Sequence, residues 1–341
     1  MSRMTRRTAF LLGLGLATGA SVAGAQTLNL YTARHYDSDE ALYEGFEAET
    51  GIEVNVLEGD SDQLIERIRR EGAASPADVF MTVDAARLNR AEEADILAPV
   101  DSEFLEERLP VELQHPEDMW FGFSERTRII YWDRETYDEA PLSTYEELAD
   151  PRFAGEICIR SSSNDYNQSL VAAMIAAHGI EATEAWAQGL VDNMARPPQG
   201  GDTDQIRAVA AGECSIAVGN HYYWARLSVS DDPADQAVAE QVAPLFPNQE
   251  GRGTHRNVGG AALVADAPNA DAAVQFLEYL ASDEAQRLFS AGNLEFPAVN
   301  GVEPVEALEP FIDYKMDALN VGVLGENNAQ AVRLMDRVGW R

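Results

Sequence analysis

The chain has 341 residues, of which 58 are acidic and 25 are Lys or Arg, so its formal net charge is -33. With 45% hydrophobic and 24% charged residues, it has the composition of a folded protein, and it is long enough for two domains of ordinary size. So acidic a surface offers no basic patch to phosphate backbones or anionic lipids. The composition therefore argues against nucleic-acid-binding and membrane-surface proteins.

The positive charges are almost all arginines, because Lys315 is the single lysine of the chain. An acidic surface that nearly lacks lysine is what we expect of a protein kept soluble in high salt, where ions screen the repulsion between carboxylates. The sequence therefore predicts a halophilic habitat. The alternative is an acidity that reflects lineage alone.

The first 25 residues have the pattern of a secretory signal peptide. Arg3, Arg6 and Arg7 precede an apolar stretch at 9–16, and residues 1–25 contain no acidic residue. Small residues at 23–25 provide a cleavage site. Arg6-Arg7 resembles a twin-arginine signal, and the general secretory route is the alternative. The stretch is too short for a stable transmembrane helix, and no cysteine follows the cleavage site to carry a lipid. We therefore expect a periplasmic protein without direct membrane insertion.

From residue 27 onward, strand and helix patterns alternate along the chain. Apolar alternation predicts strands, and helical spacing predicts helices, in the order strand 27–33, helix 38–49, strand 52–57, helix 61–71 and strand 77–83. The same rhythm returns in a second region, in the order strand 155–160, helix 167–178, strand 214–218 and helix 222–227. These patterns predict an α/β fold of two lobes, each a doubly wound, mostly parallel sheet, with the ligand in the cleft between the lobes.

Extended segments near 121–131 and 244–258 are expected to cross between the lobes. The predicted division of the chain is 1–25 for the signal peptide, 26–122 plus 248–300 for an N-terminal lobe, and 123–247 plus 301–341 for a C-terminal lobe. More than one crossing makes a hinge between the lobes.

Cys158 and Cys214 are the two cysteines, and each lies in a predicted strand. In an oxidising compartment an even pair is typical of a disulfide, and two buried thiols are the alternative. A lone pair so far apart in sequence is not a zinc signature.

Motifs for nucleotide or hydrolytic chemistry are absent from the sequence: it has no G-x-G-x-x-G after a strand, no Walker loop, no H-E-x-x-H and no G-x-S-x-G. The sequence therefore gives no argument for an enzyme.

Tyrosine and histidine gather at three predicted strand-to-helix turns. These turns contain Arg34-His35-Tyr36, Asn164-Asp165-Tyr166-Asn167 and His221-Tyr222-Tyr223. Ligands of open α/β sheets bind beyond the carboxyl ends of the strands, so the three turns are expected to face one cleft. Tyr222 and Tyr223 both reach one point only if the backbone turns, which Gly219-Asn220 permits.

Four tyrosines and a histidine favour a hard, highly charged cation. An isolated phenol loses its proton only near pH 10, but a trivalent cation binds the phenolate directly and inverts that preference. Oxygen anions without thiolates argue against copper(I) and zinc. Ferric iron fits best, and ordinary half-buried aromatic residues are the alternative interpretation.

On these residues the chain resembles the periplasmic ferric-binding proteins of bacterial ABC iron importers, the bacterial counterparts of transferrin. The resemblance runs through nearly the whole chain after the signal segment. The segments that carry it are 31–36, 75–79, 160–169, 200–204, 217–223 and 257–260.

The resemblance implies a set of site residues and partners. It places the iron ligands on His35, Tyr36, Tyr166, Tyr222 and Tyr223. It also matches Arg126, with Arg128 as a near alternative, to an arginine that holds a synergistic anion such as carbonate in some members. His221 is expected to be a turn residue, not a sixth ligand. The implied partners are an inner-membrane ABC permease and its ATPase, served by a monomeric binding protein.

Two other functions compete with ferric-iron binding. The first is a binding protein of the same fold for an oxyanion or small organic solute, held by helix N-termini and by Arg34 or Arg126. The second is a secreted metal-dependent hydrolase, which would need an open metal position and a general base. Four anionic tyrosines would saturate such a metal, so we expect no enzyme.

Salt is expected to stabilise the protein. The large negative charge opposes compactness, and screening relieves that repulsion. The melting temperature, measured by circular dichroism, should therefore rise between low and molar sodium chloride. An unchanged melting temperature would contradict the halophilic interpretation.

Overall fold

The computed structural model describes residues 26–34 and 36–341. The predicted signal peptide, 1–25, and the predicted ligand His35 lie outside the described residues.

The strands are short except for two that run through the middle of the molecule. They are β1 Thr27–Thr32, β2 Glu53–Glu58, β3 Val79–Thr82, β4 Leu97–Ala98, β5 Phe121–Asp133, β6 Ile157–Cys158, β7 Ile216–Asn220, β8 Val242–Leu245, β9 Arg256–Val264 and β10 Phe296–Pro297.

The helices fill the intervals between strands and cover the sheet. They are α1 Glu40–Thr50, α2 Ser61–Glu71, α3 Ala85–Glu93, α4 Glu103–Arg108, α5 Asp165–His178, α6 Ile180–Asp192, α7 Asp202–Ala210, α8 His221–Ser228, α9 Pro233–Gln241, α10 Ala270–Leu280, α11 Asp283–Asn293 and α12 Gly322–Arg337. Among the residues described, none of these helices has the length and apolarity needed to cross a membrane.

The strand order β2-β1-β3-β9-β5-β7-β6 joins two sheet regions. Parallel pairing links β1 to β2 and β3 at one end, and β6 to β7 at the other. The long central strands β9 and β5 pair antiparallel with each other and with their neighbours on either side. The predicted two-lobed α/β fold is confirmed, with parallel β-α units at the outer ends and antiparallel crossing strands between them.

The 13-residue strand β5 belongs to both sheet regions. Its first half, up to Thr127, pairs with β9, and its second half, from Arg128, pairs with β7. The chain leaves one region along β5 and returns along β9. Residues 126–128 therefore lie where the two regions meet, which is the position of a hinge.

Separate hydrophobic cores lie on the two sides of this junction. The first contains Phe46, Trp120 and Phe276, and the second contains Trp186 and Trp340. Helix α12 contributes to both, with its N-terminal residues in the first core and its C-terminal residues in the second. The predicted assignment of chain segments to the two lobes stays a prediction.

Local signals explain where the helices begin and end. Asp60 caps α2 by accepting hydrogen bonds from the backbone N–H groups of Asp62 and Gln63, and α2 covers the predicted range 61–71. Helix α1 ends at Gly51, whose positive φ of 73° suits glycine.

Cys158 and Cys214 form a disulfide, so the first of the two predicted alternatives is confirmed. It ties the end of β6 to the segment that leads into β7, beside the core residues Ile206 and Val209.

Removing this disulfide is expected to lower the stability of the protein. The bond closes a loop with a sequence separation of 56 residues, so its loss should reduce the free energy of unfolding by about 2–4 kcal/mol. Chemical denaturation of the variant with Cys158→Ser and Cys214→Ser measures the change. A reducing agent should destabilise the wild type to the level of the variant and leave the variant unchanged. Equal stability of wild type and variant would contradict this expectation.

Candidate metal centre

Arg126 and Arg128 project from the middle of β5, and both side chains are about 1% exposed. They lie two residues apart on an extended strand, so they point to the same face. Their surroundings differ. Arg128 bonds to Asn167 on α5, Asp202 on α7 and Asn220 on β7, at distances from 2.6 to 3.4 Å. Its hydrogen-bond donors are therefore all used in contacts with α5, α7 and β7.

Arg126 keeps unused hydrogen-bond donors. One end of its guanidinium forms an ion pair with Glu295, while Nε and Nη1 are buried without a hydrogen-bond partner among the described residues. Buried donors without partners are rare and point to a ligand or another polar group that is bound in function. Of the two arginines considered from the sequence, Arg126 has the donors to hold an anion.

Two of the predicted tyrosines meet directly. Tyr166 is the second residue of α5, which Asn164 caps by accepting a hydrogen bond from the Asn167 N–H. Tyr222 is the second residue of α8, and its hydroxyl donates to the Tyr166 hydroxyl at 3.3 Å. Asn220 Nδ2 also donates to the Tyr222 hydroxyl at 3.3 Å. The helix starts therefore aim both phenols at one point.

Tyr223 lies beside Tyr222, with ring centroids 4.4 Å apart. β7 ends at Gly219-Asn220 and the chain passes directly into α8, so the backbone turns from strand to helix where the sequence predicted. The first turn of this helix brings the two adjacent rings together.

Tyr36 follows β1 and joins the same group of rings through two arginines. The Arg34 guanidinium lies 5.0 Å from the centroid of the Tyr36 ring. The Arg226 guanidinium lies 5.7 Å from Tyr36, 5.0 Å from Tyr222 and 5.7 Å from Tyr223. The structure thus brings together four of the five predicted ligands, and the fifth, His35, is outside the described residues.

Burial controls the protonation of these phenols. Loss of solvent raises the pKa of Tyr166, Tyr222 and Tyr223, and the charge of Arg126 only partly offsets this for Tyr166 and Tyr222. Tyr166, Tyr222 and Tyr223 are therefore neutral at physiological pH in this state. Only a cation of high charge, bound directly, would favour their anions.

His221 is not available as a ligand in this arrangement. Its Nδ1 accepts a hydrogen bond from the Thr127 N–H, its Nε2 donates to the Leu294 carbonyl, and its ring stacks on Phe296. Burial lowers the pKa of His221 to about 3, so the ring is neutral. It lies at the first position of α8 and supports the backbone that carries Tyr222.

The other described histidines have protein partners of their own. His115 pairs with Glu92, His178 with Glu146, and His255 with Ser169. Over the described residues, no group of three or more His, Cys, Asp or Glu side chains is arranged to hold a metal ion.

Arg226, Glu295 and Asp202 were not predicted. Arg226 follows Tyr222 by four residues, and that spacing puts both on one helix face, which is a signal the sequence contained. Asp202 lies in the segment 200–204 that carried the resemblance, although no role was assigned to it. Glu295 is remote in sequence from every site residue, so no local pattern indicated it.

An ion pair links α3 to α5 next to Tyr166. Arg87 on α3 donates to Asp165 on α5 at 2.5 Å. Asn257 on β9 adds a second link, because its amide donates to Asp84 at 2.6 Å and to Ser169 of α5 at 2.8 Å. These contacts hold the helix that carries Tyr166 against α3 and β9.

Comparison with known proteins gives one consistent result. Residues 32–287 match the family described as bacterial extracellular solute-binding protein. The chain is 51% identical over 316 residues to "Iron uptake protein A1" of Synechocystis sp., covering 93% of this chain and 88% of that protein.

Two solved structures are similar over nearly their full lengths. A Trichodesmium protein in complex with iron and citrate is 55% identical, with a TM-score of 0.89 over 92% of this chain and 100% of that chain. A ferric binding protein from Campylobacter jejuni is 40% identical, with a TM-score of 0.86 over the same shares.

Proposed function

The chain belongs to the bacterial extracellular solute-binding protein family, and from that premise we propose that it captures ferric iron outside the cytoplasm and delivers it to an inner-membrane ABC permease. Its relatives are binding proteins, and it is not an enzyme. The relatives named for iron give no support to the alternative of an oxyanion or organic solute as the transported ligand.

The observation that carries this proposal is the clustering of four phenols from separate parts of the chain. Tyr36, Tyr166, Tyr222 and Tyr223 come from three separate segments, and the Tyr166 and Tyr222 oxygens lie 3.3 Å apart. Four phenolates would more than neutralise a trivalent ion, whereas a divalent ion would leave a larger buried negative charge. The donor set therefore favours ferric iron over softer or less charged metals.

The proposed ligands are His35, Tyr36, Tyr166, Tyr222 and Tyr223. His35 adjoins Tyr36 in the chain, so a histidine nitrogen would enter from the same segment as the Tyr36 oxygen. Arg226 would remain near three of the phenolates as a compensating positive charge.

Arg126 is the proposed holder of a synergistic anion such as carbonate. Its free Nε and Nη1 donors suit a carboxylate-like oxygen pair, and it lies close enough to Tyr36, Tyr166 and Tyr222 for their phenolate forms to favour the protonated guanidinium. Arg128 lacks such free donors, since its bonds hold α5, α7 and β7.

Export and assembly follow from the family and the sequence pattern. We propose that residues 1–25 are removed as a signal peptide, of twin-arginine or general secretory type, and that the protein acts as a periplasmic monomer. The permease and its ATPase would release the iron by opening the cleft. The acidic, lysine-poor surface would serve a halophilic habitat.

Removing one phenol oxygen should weaken iron binding and reduce colour. Phenolate bound to ferric iron donates charge into the metal, which produces a broad visible absorption band. Tyr222→Phe and Tyr223→Phe keep the ring, so each should lower iron affinity by at least about tenfold to a hundredfold, the effect typical of outer-shell changes at metal sites. Visible spectroscopy and competition with a chelator measure both effects.

Tyr279→Phe is the matched control, because Tyr279 lies on α10 and its hydroxyl has no hydrogen-bond partner in the described part of the chain. It should keep wild-type colour and iron affinity. If Tyr222→Phe and Tyr223→Phe behave like this control, the proposed ligand set is wrong even though the family is right.

Iron binding should also make the protein more compact. Tyr36 and Tyr166 come from opposite sides of the hinge strands, so one metal can bind both only when the cleft is closed. Small-angle scattering should give a smaller radius of gyration with iron than without it. Identical profiles would argue against ligands from both sides.

A further inference from the structure

We infer that Glu295 is a positioning residue for Arg126: its carboxylate fixes the guanidinium beside the tyrosines and offsets its charge, and so limits how strongly the site takes up a carbonate-like anion. This inference rests on the proposed function and extends it to the control of anion uptake.

Glu295 lies between two buried guanidiniums. One carboxylate oxygen pairs with Arg126, and the other lies 3.3 Å from Nη1 and 3.4 Å from Nη2 of Arg34. Arg34 is also held by Asp39 through two bonds of 2.7 and 3.0 Å. Glu295 is thus the shared partner of both arginines.

The side chains of this group are buried, and their charges sum to zero. The group consists of Arg34, Asp39, Arg126 and Glu295. Their exposed fractions are between 0 and 4%. Arg34 and Arg126 supply two positive charges, and Asp39 and Glu295 supply two negative ones. Burial favours the protonated form of Glu295, but Arg126 and Arg34 outweigh it and lower its pKa below the usual value, so the carboxylate is charged.

Gly259 shows how closely the two guanidiniums approach each other. A Cβ atom on this residue would lie 2.5 Å from Arg34 Nη1 and 2.9 Å from Arg126 Nη2. Both like charges therefore lie over one small patch of β9 backbone. Such proximity costs free energy unless an anion bridges the pair, and Glu295 is in the bridging position.

The backbone around Glu295 is itself anchored to the tyrosine helix. The preceding residue, Leu294, has a left-handed φ of 56°, which is uncommon for leucine, and its carbonyl accepts the hydrogen bond from His221 Nε2 at 2.9 Å. His221 opens α8, which carries Tyr222 and Tyr223. The segment that supplies the carboxylate is therefore fixed relative to the ligands.

This arrangement sets the strength of Arg126 as an anion receptor. With Glu295 charged, the guanidinium offers its Nε and Nη1 donors but little net charge. Without that carboxylate, the same donors would carry an uncompensated positive charge in a buried site, where Coulomb attraction is strong. Anion binding should then rise by at least about tenfold.

The test compares Glu295→Gln with a matched control, Glu125→Gln. Glu125 precedes Arg126 on β5, points to the opposite face and pairs with Arg256 at 3.2 Å. Burial raises the pKa of Glu125 to about 7, so measurements at about pH 8.5 keep both wild-type carboxylates largely charged. Bicarbonate is the probe. Calorimetry measures its binding to iron-free protein, and competition assays with a chelator measure iron affinity with and without bicarbonate.

We expect iron-free Glu295→Gln to bind bicarbonate more tightly than the wild type does. Adding bicarbonate should also raise the iron affinity of Glu295→Gln by a larger factor than that of the wild type. Glu125→Gln should match the wild type in both measurements. Adding Arg126→Gln to Glu295→Gln should abolish the gain. Bicarbonate binding that is unchanged in Glu295→Gln, or raised equally in Glu125→Gln, would overturn the inference.

The calorimetry also separates this inference from the proposed function. If the wild type takes up no ferric iron, the proposed function fails, while bicarbonate binding to the iron-free variants still decides the role of Glu295. Should Glu295→Gln not fold, Glu295→Asp keeps the charge but shortens the side chain. Glu295→Asp should raise bicarbonate affinity by a smaller factor than Glu295→Gln would. A bicarbonate affinity of Glu295→Asp equal to that of the wild type would overturn the inference.

Discussion

The burial of phenols beside guanidiniums is the interaction on which this centre depends. Away from water a phenol resists ionisation, and the pKa values of Tyr166, Tyr222 and Tyr223 are raised for that reason. Arg126 opposes this effect but does not reverse it. The cluster is therefore stable with neutral phenols, and in the proposed function it would become anionic only on binding a highly charged cation. That balance would make the proposed site selective for charge as well as for ligand type.

Two arginines on β5, Arg126 and Arg128, have different hydrogen-bonding surroundings. Arg126 and Arg128 share a face of the strand, yet Arg128 uses its donors on α5, α7 and β7, whereas Arg126 retains free donors toward the tyrosines. This difference between the two arginines follows from the strands with which their parts of β5 pair. Arg128 is opposite Asn220 on β7, and Arg126 is opposite Asn257 on β9, so each arginine belongs to a different side of the hinge.

The elements and the clustering of the four tyrosines could be predicted from the sequence because their signals are local. Apolar alternation, caps and tyrosines at strand ends are all read within a few residues, and α2 was predicted to its last residue. The antiparallel pairing of β5 with β9 and the bridge from Glu295 to Arg126 could not be predicted, since they join residues at least 129 positions apart in the chain. The placement of Tyr223 beside Tyr222 depends on the change from β7 to α8, which the sequence signals locally at Gly219-Asn220.

The contacts that link α5 to α3 and β9 are adjacent to the proposed ligands, so closure of the cleft would be coupled to coordination. Asp165 and Tyr166 are consecutive in the first turn of α5, so the ion pair with Arg87 and the phenol oxygen move as one unit. A rotation that separates Arg87 from Asp165 must also carry Tyr166 away from Tyr36 on the other side. Opening would therefore remove ligands and a closing contact together, and a transporter that opens the cleft would not need to displace the iron in a separate step.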